Sequence, residues 1–135
     1  SAATVKATQC EFSENRWYGV FVLGESRGIF TDCTIHHNGG QGMAARYEGS
    51  LVELRGEQTE IHHNGEHGLC ADNATISIYI PSRSSTALVH DNGDDGESGD
   101  LNTCDYGKIQ SQLSSSSLEL TVIQGAAVED DEDEE

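Results

Sequence analysis

The sequence predicts an all-β chain that folds as a solenoid of about four to five stacked coils. A short motif recurs, in which an apolar residue stands three positions before an asparagine and a glycine stands four positions after it. The clearest copies run from Ile35 to Gly42 and from Ile61 to Gly68. Composition agrees, because fifteen glycines and one proline suit short strands joined by tight turns. Period-2 alternation of apolar and polar residues inside the repeats is the third observation.

The repeat asparagines mark the turns of the predicted coils. They are Asn15, Asn38, Asn64 and Asn92, at spacings of 23, 26 and 28 residues. Stacked coils rise by about 4.8 Å, so each side-chain amide should hydrogen-bond the ones above and below it. We expect left-handed φ values at these asparagines and at the glycines that follow them, which are Gly39, Gly65 and Gly93.

Three short strands are predicted in each coil, after an incomplete first coil at residues 1–9. The first strand ends three residues before the Asn, in segments 10–12, 33–35, 59–61 and 87–89. The second strand follows each motif glycine, at 20–22, 43–45 and 69–71, and the third lies at 28–30, 51–54 and 76–80. A leucine-rich repeat has a similar period, but its coils return through helical segments. Here the stretch after each Asn is too short and too rich in glycine for one.

The repeat weakens towards the C-terminal end. Residues 81–86 are an insertion that should bulge as a surface loop, residues 97–102 should form another loop, and residues 118–123 have the pattern of one more strand. We therefore predict one domain at 1–124, with clear repeats over 5–96 and an irregular part at 97–124. Residues 125–135, called the acidic tail below, are predicted to be disordered because Glu129 to Glu135 are all acidic.

The repeats resemble the right-handed parallel β-helix of the pectate-lyase-like superfamily. The resemblance rests on Gly19-Val20-Phe21-Val22, on the run from Gly28 to Asn38, and on Gly42-Met43. In these segments the chain is similar to the parallel β-helix repeats of F-box-associated and CASH-type domains, over about residues 5–96. The resemblance implies the fold and no particular activity, because such repeats occur in polysaccharide enzymes, adhesins and intracellular scaffolds.

Charge and hydropathy exclude several classes of partner. A formal net charge of −17 argues against nucleic-acid binding, because phosphate backbones attract basic proteins. No run approaches the ~20 apolar residues that a membrane-spanning helix needs, so no membrane span is predicted. A short stack of coils has apolar ends, and we expect other chain segments or subunits to cover them. The chain is interpreted as a fragment or as one subunit of a larger assembly.

The cysteines contain no CxxC pair, and their spacings match no zinc module. Cys10 and Cys33 each lie five residues before a repeat Asn, so they should be vertical neighbours with both thiols pointing into the core. We interpret them as reduced core thiols, with a disulfide as the alternative. Reduced thiols fit an intracellular protein, although the compartment stays open.

The alignment of repeats predicts one outward face with chemistry. The row nearest the turn contains Ser13, His36, His62 and His90, and the rows beside it contain Glu11, Thr34, Glu60 and Leu88, then Gln9, Asp32, Gln58 and Thr86. We predict that His36, His62 and His90 bind a ligand. If the chain is an enzyme, Asp32 and Glu60 are the candidate catalytic carboxylates, assisted by His36 and His62, because glycoside hydrolysis needs two carboxyl groups. The row His37, His63 and Asp91 should hydrogen-bond backbone groups at the turn.

Two further features could bind ligands. The segment from Asp91 to Gly96 has the composition of a calcium loop, but it lacks the Glu of an EF-hand and a nonapeptide repeat. We predict no resident metal or cofactor, with calcium kept as an alternative. Trp17, Tyr18 and Phe21 form a predicted exposed patch that could stack on a sugar, anchor a protein, or contact a neighbouring segment.

These observations favour a non-catalytic β-helix repeat module that serves as a protein- or glycan-binding scaffold within a larger protein or assembly. The alternative is a fragment of a carbohydrate-active β-helix enzyme, namely a polysaccharide lyase, hydrolase or epimerase. A lyase or epimerase needs a base and a cation that neutralises the uronate, and the candidate face has no Lys or Arg. The sequence does not name the ligand.

Overall fold

The computed structural model describes residues 3–80, 82–93, 100–104, 107–112 and 120–124. The strands and the one-turn helix in this part are, in chain order, β1 (Thr4–Thr8), β2 (Glu11–Ser13), β3 (Val20–Leu23), β4 (Arg27–Thr31), β5 (Thr34–His36), β6 (Met43–Arg46), β7 (Leu51–Arg55), β8 (Glu60–His62), β9 (Leu69–Asp72), β10 (Thr75–Tyr79), α1 (Ser85–Leu88), β11 (Val89–His90), β12 (Leu101–Cys104), β13 (Lys108–Gln112) and β14 (Leu120–Gln124).

The strands form three sheets that run along the stack of coils. Sheet A has the order β1-β4-β7-β10-β13-β14, sheet B the order β11-β8-β5-β2, and sheet C the order β12-β9-β6-β3. Each coil gives one strand to each sheet, so β1 to β12 make about four coils. The described pairings are parallel except β13 with β14, which is antiparallel. The predicted all-β solenoid with three strands per coil is confirmed.

A column of aliphatic side chains fills the interior. Val52 pairs with Ile76 in sheet A and Ile35 pairs with Ile61 in sheet B, and all four are fully buried. Burying a side chain of this size stabilises a fold by about 1.5–3 kcal/mol. The period-2 alternation therefore builds the core by stacking like residues from successive coils.

Strand positions follow the prediction with small shifts. In the first three coils, the strand before each Asn runs one residue further towards the C terminus than expected, as in β5 and β8. The loop expected at 97–102 is wrong at its end, because Leu101 and Asn102 begin strand β12. Of the strand predicted at 118–123, residues 118 and 119 lie outside the described part, and β14 covers Leu120–Gln124.

The insertion ends in a helical turn that the sequence analysis did not predict. The Ser84 hydroxyl accepts a hydrogen bond from the backbone N–H of Ala87, which is the arrangement of a helix N-cap. Arg83 ties the insertion to the preceding coil by donating to the backbone oxygens of Glu57 and Thr59. Leu88, expected to point outward from a strand, instead lies in α1 and is fully buried.

The turn after each sheet B strand bends one residue earlier than predicted. Left-handed φ values occur at the residue before each Asn, namely Glu14 (60°), His37 (56°), His63 (56°) and Asp91 (57°). Gly93 has a positive φ of 91°, but the positive φ expected at the asparagines and at Gly39 and Gly65 is wrong. Glycine is needed at Gly39 and Gly65 for close approach, because a Cβ on Gly39 would lie 2.2 Å from the Arg16 oxygen and a Cβ on Gly65 would lie 2.3 Å from the Gly39 oxygen.

The asparagine side chains form a continuous ladder. Asn38 Oδ1 accepts from Asn15 Nδ2 at 2.9 Å, Asn64 Oδ1 from Asn38 Nδ2 at 2.9 Å, and Asn92 Oδ1 from Asn64 Nδ2 at 2.9 Å. Each of these oxygens also accepts the backbone N–H of the preceding Asn. The ladder therefore satisfies polar groups at a buried turn, where an unpaired group is costly.

Asp100 continues the ladder beyond the last repeat Asn. Its Oδ1 accepts both the backbone N–H and the Nδ2 of Asn92 at 3.0 Å. Asp100 lies outside every copy of the motif, so the alignment of repeats could not find it.

The first coil leaves an apolar concavity of about 450 Å³ at its end of the stack. Phe12, Val22 and Phe30 are among its lining residues, and Val5 at its rim is 59% exposed. The expectation that other segments or subunits cover the ends stays a prediction.

No helix in the described ranges is long and apolar enough to cross a membrane. The acidic tail lies outside the described residues.

Candidate functional site

Three imidazole rings stack on the outer surface of sheet B. His36, His62 and His90 occupy equivalent positions in β5, β8 and β11. Ring centroids are 5.1 Å apart between His36 and His62, and 5.5 Å apart between His62 and His90, with interplanar angles of 6° and 7°. We call this row, together with His37 and His63 beside it, the histidine face.

His37 and His63 form a second column, with ring centroids 5.2 Å apart. Their Nδ1 atoms lie 2.7 Å and 2.8 Å from Nδ1 of His36 and His62 respectively. The hydrogen bonds expected between this row and backbone groups are made by its main chain, while the side chains of His37 and His63 contact the neighbouring imidazoles. The backbone groups at the turn already bond between coils, since His37 N–H bonds the His63 oxygen and His63 N–H bonds the Asp91 oxygen.

A carboxylate sets the tautomer of His36, and we call His36, His62 and His90 with their neighbours the first, middle and third rungs of the histidine face. Nε2 of His36 contacts the Glu11 carboxylate, which when ionised can only accept, so Nε2 carries the proton. Nδ1 of a neutral His36 then accepts the Nδ1 proton of His37. This rung is a relay of hydrogen bonds that ends on an exposed acid.

The third rung favours a protonated ring. Nδ1 of His90 lies 2.7 Å from Asp91 Oδ2, and Nε2 lies 2.6 Å from Glu60 Oε2. The hydrogen bond to Asp91, followed by the one to Glu60, raises the pKa of His90. In return, the His90 hydrogen bond is the main cause that lowers the pKa of Glu60, and it also lowers the pKa of Asp91.

The middle rung favours a neutral ring. Desolvation by burial lowers the pKa of His62, and the neighbouring imidazoles of His36, His63 and His90 act in the same direction. Glu60 opposes this effect. The histidine face therefore has a neutral centre and carboxylate contacts at both ends, so its ring nitrogens can donate and accept hydrogen bonds.

Asp32 is placed at a corner between sheets A and B. Its φ is 55°, and its Oδ1 accepts the backbone N–H of Gln58 at 3.0 Å. Its own N–H donates to the Thr59 hydroxyl at 3.1 Å. The structure thus uses Asp32 to connect two successive turns, while Glu60 bonds His90 on the outer surface.

The predicted aromatic patch divides into two parts. Tyr18 and Phe21 stack with ring centroids 4.4 Å apart, and they line a concavity of about 280 Å³ on sheet C. Trp17 is 64% exposed and lies beside the Arg16 guanidinium, 5.4 Å from its ring centroid. Arg46 and Asp72, an ion pair at 3.2 Å, line the same concavity as Tyr18.

A charged cluster on sheet A was missed in the sequence analysis. Glu53 faces outward yet is only 4% exposed, because Arg27 and Arg55 both bond its carboxylate. Burial opposes ionisation of Glu53, but the two arginines outweigh it and lower its pKa. The Arg55 guanidinium lies 4.4 Å from the Tyr79 ring centroid. Arg27 and Glu53 are one repeat period apart, and this spacing could have revealed the pair.

No group of three or more His, Cys, Asp or Glu side chains is arranged to hold a metal among the described residues. In the segment compared with a calcium loop, residues 94–96 lie outside the described part. Asp91 and Asn92 within it bond His90 and the asparagine ladder.

The two cysteines expected as vertical neighbours with core thiols differ in exposure. Cys33 is fully buried and Cys10 is exposed, and both are free thiols. Cys10 belongs to the first described coil, and no other coil among the described residues covers that side, so its thiol is exposed while its direction stays a prediction. Burial raises the pKa of the Cys33 and Cys70 thiols.

Comparison with known proteins gives a family and no characterised relative. The family described as "Right handed beta helix region" matches residues 1–96. Neither a curated protein nor a solved structure matches the chain.

Proposed function

Because the chain belongs to the right-handed β-helix family, we propose that it is a non-catalytic β-helix repeat module that binds a protein or a glycan. In this proposal the ligand lies along the histidine face, over His36, His62 and His90. The module acts as a scaffold within a larger protein or assembly.

The state of the candidate carboxylates carries the proposal. A glycosidase must keep one carboxyl group protonated as the general acid. The hydrogen bond from His90 lowers the pKa of Glu60 instead, which keeps it ionised. Asp32 is held by the Gln58 backbone at a corner. Glu60 is therefore unsuited to the general-acid role, and the Asp32 carboxylate is already occupied by a backbone N–H.

The geometry of the histidine face supports binding. The rings of His36, His62 and His90 are stacked nearly parallel and are held on hydrogen-bonded strands. Because these side chains are already ordered, little free energy is spent on ordering the protein when a ligand binds, and this favours affinity. Tyr18 and Phe21 on sheet C offer a separate aromatic surface for a sugar ring or an apolar anchor.

Direct binding and turnover measurements test the proposal. Pectate, alginate and neutral polysaccharides serve as probes, with calorimetry for binding and product analysis for turnover. We expect binding without turnover for at least one probe, and a loss of affinity of about tenfold in His62→Gln, equivalent to about 1.4 kcal/mol. His67→Gln is the matched control, because His67 is a histidine outside the face, and it should bind as the unchanged chain does.

Two outcomes contradict the proposal in different ways. Turnover that Asp32→Asn or Glu60→Gln abolishes would support the enzyme alternative and exclude a non-catalytic module. Binding that His62→Gln leaves unchanged would exclude the histidine face as the surface involved. If no glycan binds, the proposal that the ligand is a protein is tested next. The chain is isolated together with whatever is bound to it, and the mass of the resulting complex is measured. A chain that is always a free monomer counts against the proposal.

A further inference from the structure

The outer face of sheet A has a charge opposite to that of the whole chain. The chain has seven Lys and Arg residues against 24 Asp and Glu residues. Four of the seven basic residues lie in the strands of this one sheet, and we call them the cationic face: Lys6, Arg27, Arg55 and Lys108. Glu53 is the single acidic residue in the same six strands.

The basic groups of this face remain accessible. Arg27 and Arg55 keep 48% and 46% of their side-chain surface exposed, although both bond Glu53. Glu53 lies buried beneath them, so one carboxylate is shared between two guanidinium groups. Each guanidinium has five N–H donors, and the donors that do not reach Glu53 can take a second acid.

The acidic tail follows strand β14 in the sequence, and β14 lies in this same sheet. Strand β14 runs antiparallel to β13, with Gln124 opposite Lys108. The row that contains Lys108 continues through Thr75 and Leu51 to Arg27. The chain after Gln124 therefore starts at the end of the strands where Lys108 and Arg27 lie.

Chain length permits the tail to cross the face. Four strand spacings of about 4.8 Å separate Gln124 from Arg27, which is about 19 Å. Five residues lead from Gln124 to Glu129 and can span about 17 Å when extended. The seven acids from Glu129 to Glu135 then extend further, so they can meet Arg27 and the other basic groups.

We infer that the acidic tail docks across the cationic face and covers it. An exposed ion pair contributes about 0–1 kcal/mol, but tethering on the same chain gives the tail an effective concentration in the millimolar range. The tail then competes with any acidic partner for this face, and salt weakens the contact because it screens exposed charges.

NMR of the full chain tests the inference. The wild type is compared with a chain in which residues 129–135 are changed to Asn and Gln, and backbone amide shifts are recorded. We expect shift differences in sheet A, at residues such as Ile29 and Ser77, and none at His62 or Cys70 on the other sheets. The differences should disappear at about 0.5 M salt.

A charge-matched pair of variants supplies the control. Lys6→Gln/Lys108→Gln should reduce the sheet A differences by at least half, and it leaves the arginines that hold Glu53 intact. Arg16→Gln/Arg46→Gln removes the same charge from outside sheet A and should leave the differences unchanged. Differences confined to β14, spread evenly over the three sheets, or equally reduced by both double variants overturn the inference. None of these readouts depends on the histidine face.

Discussion

At the scale of single residues, equivalent positions in successive coils take on different chemistry. Asn38 and Asn64 are 2% exposed and repeat one set of bonds. The histidine row does not repeat in this way, because Glu60 and Asp91 bond His90 whereas His62 stacks between two rings. A repeat can therefore conserve a turn and vary the surface.

Asn64→Ala should cost about 2–4 kcal/mol of unfolding free energy. Asn64 accepts two hydrogen bonds from Asn38 and donates to Ile35 and Asn92, and a buried group left unpaired costs about 1–3 kcal/mol. Asn15→Ala is the matched control at the exposed end of the ladder, with an expected cost below about 1 kcal/mol. Urea unfolding measures both, and equal costs would show that the ladder does not stabilise the buried turns.

His62 and His90 should give stability opposite pH dependences. The pKa of His62 is lowered on folding, so the unfolded chain binds more protons there and stability falls as pH drops below about 6.5. The pKa of His90 is raised, so its contribution is present below about pH 6.5 and is lost as pH rises through the folded value.

Urea unfolding of His62→Gln and His90→Gln at about pH 5.5 and about pH 8 checks these signs. The difference in unfolding free energy from wild type should favour His62→Gln more at the lower pH than at the higher pH. His90→Gln should be more destabilising at the lower pH than at the higher pH. The same direction for both variants would contradict the assignment of a neutral middle rung and a protonated third rung.

At the scale of elements, the coils approach each other too closely for most side chains at the turn. A Cβ on Gly42 would lie 2.7 Å from Asn64 Nδ2 and 2.8 Å from the Gly68 oxygen. The motif glycine is therefore required by the contact between coils and not by a left-handed φ. In the fourth coil Asp100 takes over the accepting role of a repeat Asn.

Asp100→Asn should change the unfolding free energy by less than about 1 kcal/mol, whereas Asp100→Ala should cost about 1–3 kcal/mol. An Asn Oδ1 can accept the same two hydrogen bonds from Asn92 that Asp100 Oδ1 accepts. Denaturant unfolding compares the two variants. If they are equally destabilised, the carboxylate charge matters and not the accepting oxygen.

At the scale of the whole molecule, the solenoid distributes stability unevenly. Each coil contacts its neighbours, so an outer coil has one stacking interface where an inner coil has two. The exposure of Val5 at 59% and the full burial of Leu54 reflect this difference.

Amide hydrogen exchange should therefore be slower in β7 and β8 than in β1 by at least about tenfold, equivalent to about 1.4 kcal/mol. Local opening of β1 breaks its pairing with β4, whereas β7 is paired on both sides with β4 and β10. Exchange followed by mass spectrometry or NMR measures the ratio, and equal rates would mean that the stack opens as one unit.

The period of the sequence by itself determined the coils, the three strands in each, the turn asparagines and the outward row of His36, His62 and His90. These follow from alternation and spacing, which are local properties of the chain. The tertiary structure alone decided that Asp32 bonds Gln58, that His90 lies between two carboxylates, and that Arg27 and Arg55 enclose Glu53. Most of these contacts join residues about one coil apart, and the stacking register with the local backbone angles sets which side-chain atoms meet.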